Sequence, residues 1–334
     1  MKLFALSLMA AMLLAVFPNS VNAEEDFIIT VATVAPKGSM WVREMEKLDK
    51  KIREKTDGHV QFKFYPGGVA GDDKTMVQKI RGGQLVGAGL TGVGLGEIFP
   101  GIRVIEAPFT FRDYKEVDYV MRKLSKWFKK QFEKQGFKVL GWTDQGFVYL
   151  MSQKEIKSVD DVKTAKPWVW DVDPVGQATF KAFGISPVAL SLENVSTSLD
   201  SGMIDTIYIS PVAALALGWY KRVKFYVDFP ITNGAGAIVI SKEFFDKMPP
   251  KYQVIVETLS AQYLRALSNK TRKENDHERS TLEKNGIKRL VPSADDVKQF
   301  MAVGIKAADS LAGNLYSKKL LKKVRDLLNE YRNK

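Results

Sequence analysis

The sequence predicts an α/β protein of two lobes, and three observations predict it. Short apolar runs alternate with helical patterns, and the alternation stops and starts again mid-chain. A chain of 334 residues exceeds what one hydrophobic core comfortably covers. A single helical stretch long enough to lie across two bodies follows Pro249-Pro250.

The order of elements runs as follows. Residues 27–34 read as a strand, and the turn Pro36-Lys37-Gly38 leads to a helix capped by Ser39 that stops near Asp57-Gly58. A strand over 60–65 enters the glycine-rich turn 66–71, whose glycines suit a tight bend at the C-terminal end of a strand. Asp72 starts the next helix. The apolar run 86–91 reads as a buried strand, which argues for a parallel sheet covered on both faces. The pattern then resumes with strands over 137–142 and 147–151, a helical turn at 158–161 and a strand over 167–170. A helix over 174–183, a strand over 185–190, a helix over 192–201 and a strand to Tyr208 complete the second unit. Strands over 223–229 and 236–240 read as returning towards the first lobe. About 35 residues of helix then reach Asn285-Gly286, and two closing helices cover roughly 295–314 and 317–331. The division expected from this is lobe I over 24–145 plus about 230–270, and lobe II over 146–229 plus about 271–334.

The first residues point to export. Lys2 precedes an apolar run over 3–17, and Val21-Asn22-Ala23 offers the small residues a signal peptidase needs, so residues 1–23 read as a cleaved signal peptide. At about fifteen residues that run is shorter than the roughly 20 of a membrane-spanning helix, so no stable membrane insertion is expected and the mature chain should be periplasmic. The chain has no cysteine, which excludes disulfides, zinc–thiolate sites and thiol nucleophiles together. The net charge of +12 falls to +11 when Lys2 leaves. The cations are interleaved with acids, as in Lys47-Leu48-Asp49-Lys50-Lys51, so a solvated surface is expected in preference to nucleic-acid binding. Only His59 and His277 are present. Neither has metal-ligand spacing or a nucleophile beside it, and turn 66–71 lacks the P-loop ending. No enzyme, cofactor or metal site is therefore expected.

What the sequence does offer is aromatic side chains near strand ends and turns: Trp41, Trp142, Phe147, Trp168, Trp170, Tyr208 and Trp219. Trp168 and Trp170 flank Val169 and share one face of a strand, whose C-terminal end is where a cleft would lie. Trp168 is the leading candidate for its lining.

Several short motifs, weak alone, occur in a specific order. They are Ala35-Pro36-Lys37-Gly38-Ser39 with Trp41, Phe64-Tyr65-Pro66-Gly67-Gly68 continuing to Gly71-Asp72-Asp73, and Ala107-Pro108-Phe109-Thr110-Phe111. Phe180-Lys181-Ala182-Phe183-Gly184-Ile185-Ser186-Pro187-Val188 and Gly202-Met203-Ile204-Asp205 complete them. In these the whole mature chain resembles the DctP-type substrate-binding proteins of tripartite ATP-independent periplasmic (TRAP) transporters. The resemblance implies a two-lobe periplasmic binding protein fold with a hinge and one long helix spanning both lobes. It also implies closure on a small-molecule ligand, and reading of the closed form by TRAP membrane subunits driven by an ion gradient.

One departure stands out. Where most of that family carries an arginine that pairs with the substrate's carboxylate, this chain has Trp168. The polar stretch that follows Asp205 in the family is here Thr206-Ile207-Tyr208-Ile209-Ser210-Pro211, which makes Tyr208 and Ser210 further candidates. Both changes predict a neutral or substantially apolar ligand. The alternatives are an ordinary organic-acid binder, holding its carboxylate through Lys37, Gln145 or backbone N–H groups, and a ligand sensor for a membrane receptor. The resemblance includes some relatives with such aromatic clefts that work with a partner lipoprotein of tetratricopeptide repeats and take hydrophobic ligands, which makes such a partner a plausible expectation here.

Overall fold

The computed structural model describes residues 25–334, so the signal peptide expected over 1–23 lies outside the described residues. Strand β1 (Phe27–Thr33) buries Phe27, Ile29 and Val31 on one face. Helix α1 (Met40–Lys55) follows, its first turn held by the Ser39 hydroxyl accepting from the Val42 N–H. Strand β2 (Val60–Tyr65) pairs parallel with β1. In the turn after it Gly67, Gly68 and Gly71 sit at φ of 78°, 73° and 101°, a region that disfavours any side chain. Helix α2 (Asp73–Arg81), capped by Asp72, leads to β3 (Gly87–Thr91), parallel to β1 on its other side. Helix α3 (Gly92–Ile98), a 3₁₀ turn over Pro100–Glu106 and helix α4 (Tyr114–Lys134) then cover one face.

Strand β4 (Phe137–Ser152) is 16 residues long and runs from the first lobe into the second. The sequence suggested two strands here. The polar stretch between them is instead absorbed by irregularities in register at Val139/Gly141 and Asp144/Gly146, with Gly146 at φ 80°. Beyond β4 come α5 (Val159–Lys163), started by a reciprocal Ser158–Asp161 cap, β5 (Trp168–Trp170) and α6 (Pro174–Ala182), capped by Asp173. Strand β6 (Val188–Leu190) is shorter than expected and pairs parallel with β5. The helix expected over 192–201 is a 3₁₀ turn, Leu192–Asn194, followed by α7 (Val195–Asp200). Strand β7 (Thr206–Ile209) lies antiparallel on β4 and is followed by α8 (Pro211–Ala216).

Strand β8 (Phe225–Val227) pairs with the far end of β4 and does not return, whereas β9 (Thr232–Ser241) runs back along β4 to lie beside β3. The sheet order is thus β10-β8-β4-β9-β3-β1-β2, with β10 (Lys288–Leu290) parallel to β8 and β7 also on β4. The sheet is mixed, not wholly parallel. In the first lobe β2-β1-β3 keeps the parallel arrangement, but β9 lies antiparallel beside β3, because the strand that returns from the second lobe must enter the first in the opposite direction.

Helix α9 (Lys242–Lys247) precedes α10 (Pro250–Lys284), whose 35 residues match the long helix expected. Tyr252, Val256, Leu264 and Leu267 pack with β1, β2 and α1, while Leu282 belongs to the core around Trp168 and Trp219. One helix therefore braces both lobes. Helix α11 (Ala294–Leu311) packs on α6, and α12 (Lys318–Arg332) packs on α4. The sequence division placed α12 with the second lobe. Its buried face instead joins the core that holds Ala32, Ala88 and Phe137 of the first lobe, with Arg332 ion-paired to Glu116 at 2.7 Å. Helix α4 was not foreseen, although Val117, Val120, Leu124, Phe128 and Phe132 recur at helical spacing.

Candidate functional site

The C-terminal ends of β1 and β3 face the β5–α6 and β7–α8 turns across a cavity of about 310 Å³. This is the position where open α/β sheets hold ligands, because loops there spread apart while the strands beneath stay fixed.

One wall is aromatic. Trp168 is 3% exposed and donates its indole Nε1–H to the Leu190 carbonyl at 2.9 Å, so its face and not its N–H lines the cavity. Tyr208 stacks on it with ring centroids 5.2 Å apart and planes 25° from parallel, and Trp219 meets its edge at 5.3 Å. Phe180 of α6 packs edge-on against Tyr208 at 5.9 Å. Trp170 and Ser210 line the cavity as well. From the first lobe comes Trp41, which lies so close over Gly89 that a Cβ there would sit 2.4 Å from its ring. Gly89 is the condition for Trp41 to reach the cavity.

The floor is ionic. Arg103, from the 3₁₀ turn of the first lobe, donates from Nη2 to Asp173 Oδ1 of the second at 2.7 Å. Its Nε lies 2.6 Å from Glu106 Oε2, within ion-pair range but off the line of a hydrogen bond. Glu106 Oε1 accepts from the Ala235 N–H at 2.7 Å, and the Tyr208 hydroxyl donates to Asp173 Oδ2 at 2.7 Å. Burial pushes the Glu106 carboxyl above its usual range, against the pull of Arg103. Burial also opposes the Arg103 charge, but Glu106 and Asp173 outweigh it and raise its pKa. The Tyr208 phenol is pushed well up by burial and by Asp173. A third carboxylate, Asp144, lines the cavity and pairs outward with Arg272 at 2.7 Å. Among the described lining residues there is thus one cation, Arg103, against Glu106, Asp144 and Asp173.

Six of the nine candidates named from sequence, namely Trp41, Trp168, Trp170, Tyr208, Ser210 and Trp219, surround this cavity. Lys37, Trp142 and Phe147 do not. Lys37 is exposed on the turn before α1. Trp142 points to the other face of β4, under α4, where its Nε1–H donates to Ser125 Oγ at 2.8 Å and its ring meets Phe132. Phe147 also faces α4, against the Tyr114 ring at 4.6 Å, while Thr143 and Val148 take the cavity side. Strand alternation separates these sets, and a residue count cannot follow it across an irregular register. Gln145 lines the cavity, and the glycine turn at 67–71 does not.

The sequence reading missed Arg103, Glu106, Asp173 and Phe180. Asp173 before Pro174 is legible as a helix cap. Its partner lies 70 residues earlier in a short 3₁₀ turn, and no spacing rule connects them. Among the described residues no cluster of acids or histidines could hold a metal ion, and no helix is long and apolar enough to cross a membrane.

Residues 31–314 match the family described as bacterial extracellular solute-binding protein, family 7. A curated relative, the 2,3-diketo-L-gulonate-binding periplasmic protein of Escherichia coli, is 25% identical over 213 residues, covering 62% of this chain and 64% of that protein. Among solved structures, a TRAP periplasmic solute-binding protein from Haemophilus influenzae with bound L-gulonate superposes with a TM-score of 0.84. It is 22% identical, and the match covers 90% of this chain and 100% of that one. Another, from Desulfovibrio salexigens with bound orotic acid, also gives 0.84 at 19% identity, covering 91% and 99%. The two-lobe architecture, the braced pair of lobes and the sequence match converge: this chain belongs to bacterial extracellular solute-binding protein family 7, the DctP family.

Proposed function

We propose that this protein captures a small, neutral or largely apolar solute in the periplasm and presents it, by closure of the two lobes, to the membrane subunits of a TRAP-type transporter. The observation that carries the choice of ligand is the state of Arg103. Arg103, the one cation among the described lining residues, already faces Asp173 and Glu106, and three carboxylates line the same space. An incoming carboxylate would find its counter-charge shared and two or three like charges within a few ångströms in a poorly screened interior. An apolar body, by contrast, meets the faces of Trp168, Tyr208, Trp219 and Phe180.

A second reading is favoured by the relatives, which are described with L-gulonate, orotic acid and 2,3-diketo-L-gulonate. Here the ligand is an organic acid, and Arg103 with Gln145 and backbone N–H groups takes the place of the missing arginine. A ligand sensor and a tetratricopeptide-repeat lipoprotein partner rest on the resemblance alone.

Tryptophan fluorescence separates the two ligand classes, because four indoles, Trp41, Trp168, Trp170 and Trp219, surround the cavity. The expected result is saturable quenching by neutral aromatic or aliphatic compounds and none by L-gulonate or orotate up to millimolar concentration. Replacing Trp168 by Arg should weaken the apolar ligands about tenfold or more, the scale of losing one buried aromatic contact. Tight, salt-sensitive binding of L-gulonate by the native chain would establish the second reading instead.

A further inference from the structure

Helix α4 presents a row of cations that the rest of the molecule leaves unneutralised. Arg122, Lys126, Lys130 and Lys134 recur every fourth residue and are all exposed, and Lys123 and Trp127 flank them. The row spans thirteen residues, about 18 Å of helix from first to last. None of these five cations has an ion pair or a side-chain hydrogen bond among the described residues. Like charges at this spacing destabilise a helix, so folding alone gives no reason for the arrangement.

Elsewhere the same surface does interleave its charges. Lys247 pairs with Glu243 at 2.8 Å, Lys322 with Asp326 at 2.8 Å and Lys298 with Asp295 at 2.9 Å, each within one helical turn. Helix α4 has three acids of its own, and each is drawn away from the row by a cation from another element. Glu116 pairs with Arg332, Asp118 with Arg272 and Glu133 with Lys138. At the N-terminal end of the row Arg122 and Lys123 stand 5.3 and 5.6 Å from the centre of the Tyr119 ring, and Lys334 stands at 5.0 Å, paired at 3.2 Å with Glu330, which also accepts from the Tyr119 hydroxyl at 2.6 Å. In the middle of the row Trp127 is 40% exposed, its ring resting on Phe99 at 5.7 Å and Phe128 at 5.2 Å.

We propose that this face of α4 docks on an anionic phospholipid surface, with the lysines and Arg122 among the headgroups and Trp127 at their level. The row is long, convex and made of flexible point charges, which suits a delocalised negative surface better than a defined acidic peptide. An exposed indole amid cations fits the boundary between headgroups and acyl chains. No residue of α4 lines the cavity, so docking leaves ligand capture free and holds the carrier where its cargo is delivered. The inference stands on the charge pattern and not on the nature of the ligand.

The test is co-sedimentation of the mature chain with vesicles of phosphatidylcholine alone and with 30% phosphatidylglycerol. Binding is expected only to the second, and it should fall about tenfold or more between 50 and 300 mM salt as the Debye length shortens. The double variant Lys126→Glu/Lys130→Glu should lose that binding with an unchanged melting temperature, and Trp127→Ala should weaken it. Equal binding to both vesicles, full binding by the double variant, or capture of poly-glutamate with no binding to vesicles would each overturn the proposal. The last would assign the row to an acidic protein.

Discussion

At the scale of single residues, the best-defined chemistry is that of buried acids. Asp73 opens α2 but is wholly buried, and its Oδ2 accepts from the Thr91 N–H at 3.0 Å, the Gly94 N–H at 3.1 Å and the Thr91 hydroxyl. It thereby caps α3 from a distance, while its other oxygen has no partner. Burial outweighs these donors and pushes its carboxyl up to about 6 from 3.8. A folded-state value above the unfolded one means that the native form holds the proton more tightly. The stability this confers is full below about pH 4 and is lost as pH rises through 6. Asp73→Asn keeps an acceptor for α3 and removes the titration. Its stability relative to the native chain should therefore grow by roughly 2 kcal/mol between pH 4 and 7, as read from urea midpoints at each pH. A difference that stays flat across that range would show that Asp73 is not the group responsible.

At the scale of elements, α3 and the 3₁₀ turn after it are held together by one missing side chain. A Cβ at Gly92, the first residue of α3, would lie 2.1 Å from both carboxylate oxygens of Glu106. Glu106 in turn holds the Ala235 N–H and faces Arg103, so it cannot give way without loosening both. Gly92→Ala should cost about 2–3 kcal/mol, more than the overpacking alone, because the displaced carboxylate leaves buried donors unpaired. Thermal melting measures it, and a loss under about 0.5 kcal/mol would mean that Glu106 has room to move. The contrast with α4 is instructive. Its buried face is plain in the sequence at a helical period, yet the dense cations between those positions obscured it, and they are the feature that now calls for a partner.

At the scale of the whole molecule, β4, β9 and α10 connect the lobes, and the Arg103–Asp173 pair ties them again at the cavity floor. Near the crossing, Asn275 of α10 donates to the Gln145 carbonyl at 2.8 Å and accepts from the Val212 N–H at 3.0 Å, joining β4 to α8. Removing the cation of the floor leaves two buried carboxylates facing each other. Arg103→Met should therefore cost about 3–5 kcal/mol at pH 7. The deficit should shrink as pH falls, because Glu106, whose carboxyl burial already raises, takes up a proton more readily once the Arg103 charge is gone. A pH-independent deficit in thermal or urea unfolding would show that packing, not charge, is what Arg103 supplies.

The succession of strands and helices, the helix starts at Ser39 and Asp72, the bracing helix of 35 residues and the aromatic character of the cavity around Trp168 were all legible in the sequence. The helix starts and the long helix are set by residues close together in the chain, where local period and hydrogen-bonding groups act, and the aromatic wall shows in the residue types that stand at strand ends. Three things were decided by tertiary structure alone. The first is that β9 returns antiparallel beside β3, which makes the sheet mixed. The second is that Trp142 and Phe147 turn to α4 while Thr143 and Val148 turn to the cavity, which an irregular register settles. The third is that Arg103 meets Asp173 across 70 residues of chain. That contact sets the charge of the cavity, because only the packing of two lobes brings a 3₁₀ turn of one against a helix cap of the other.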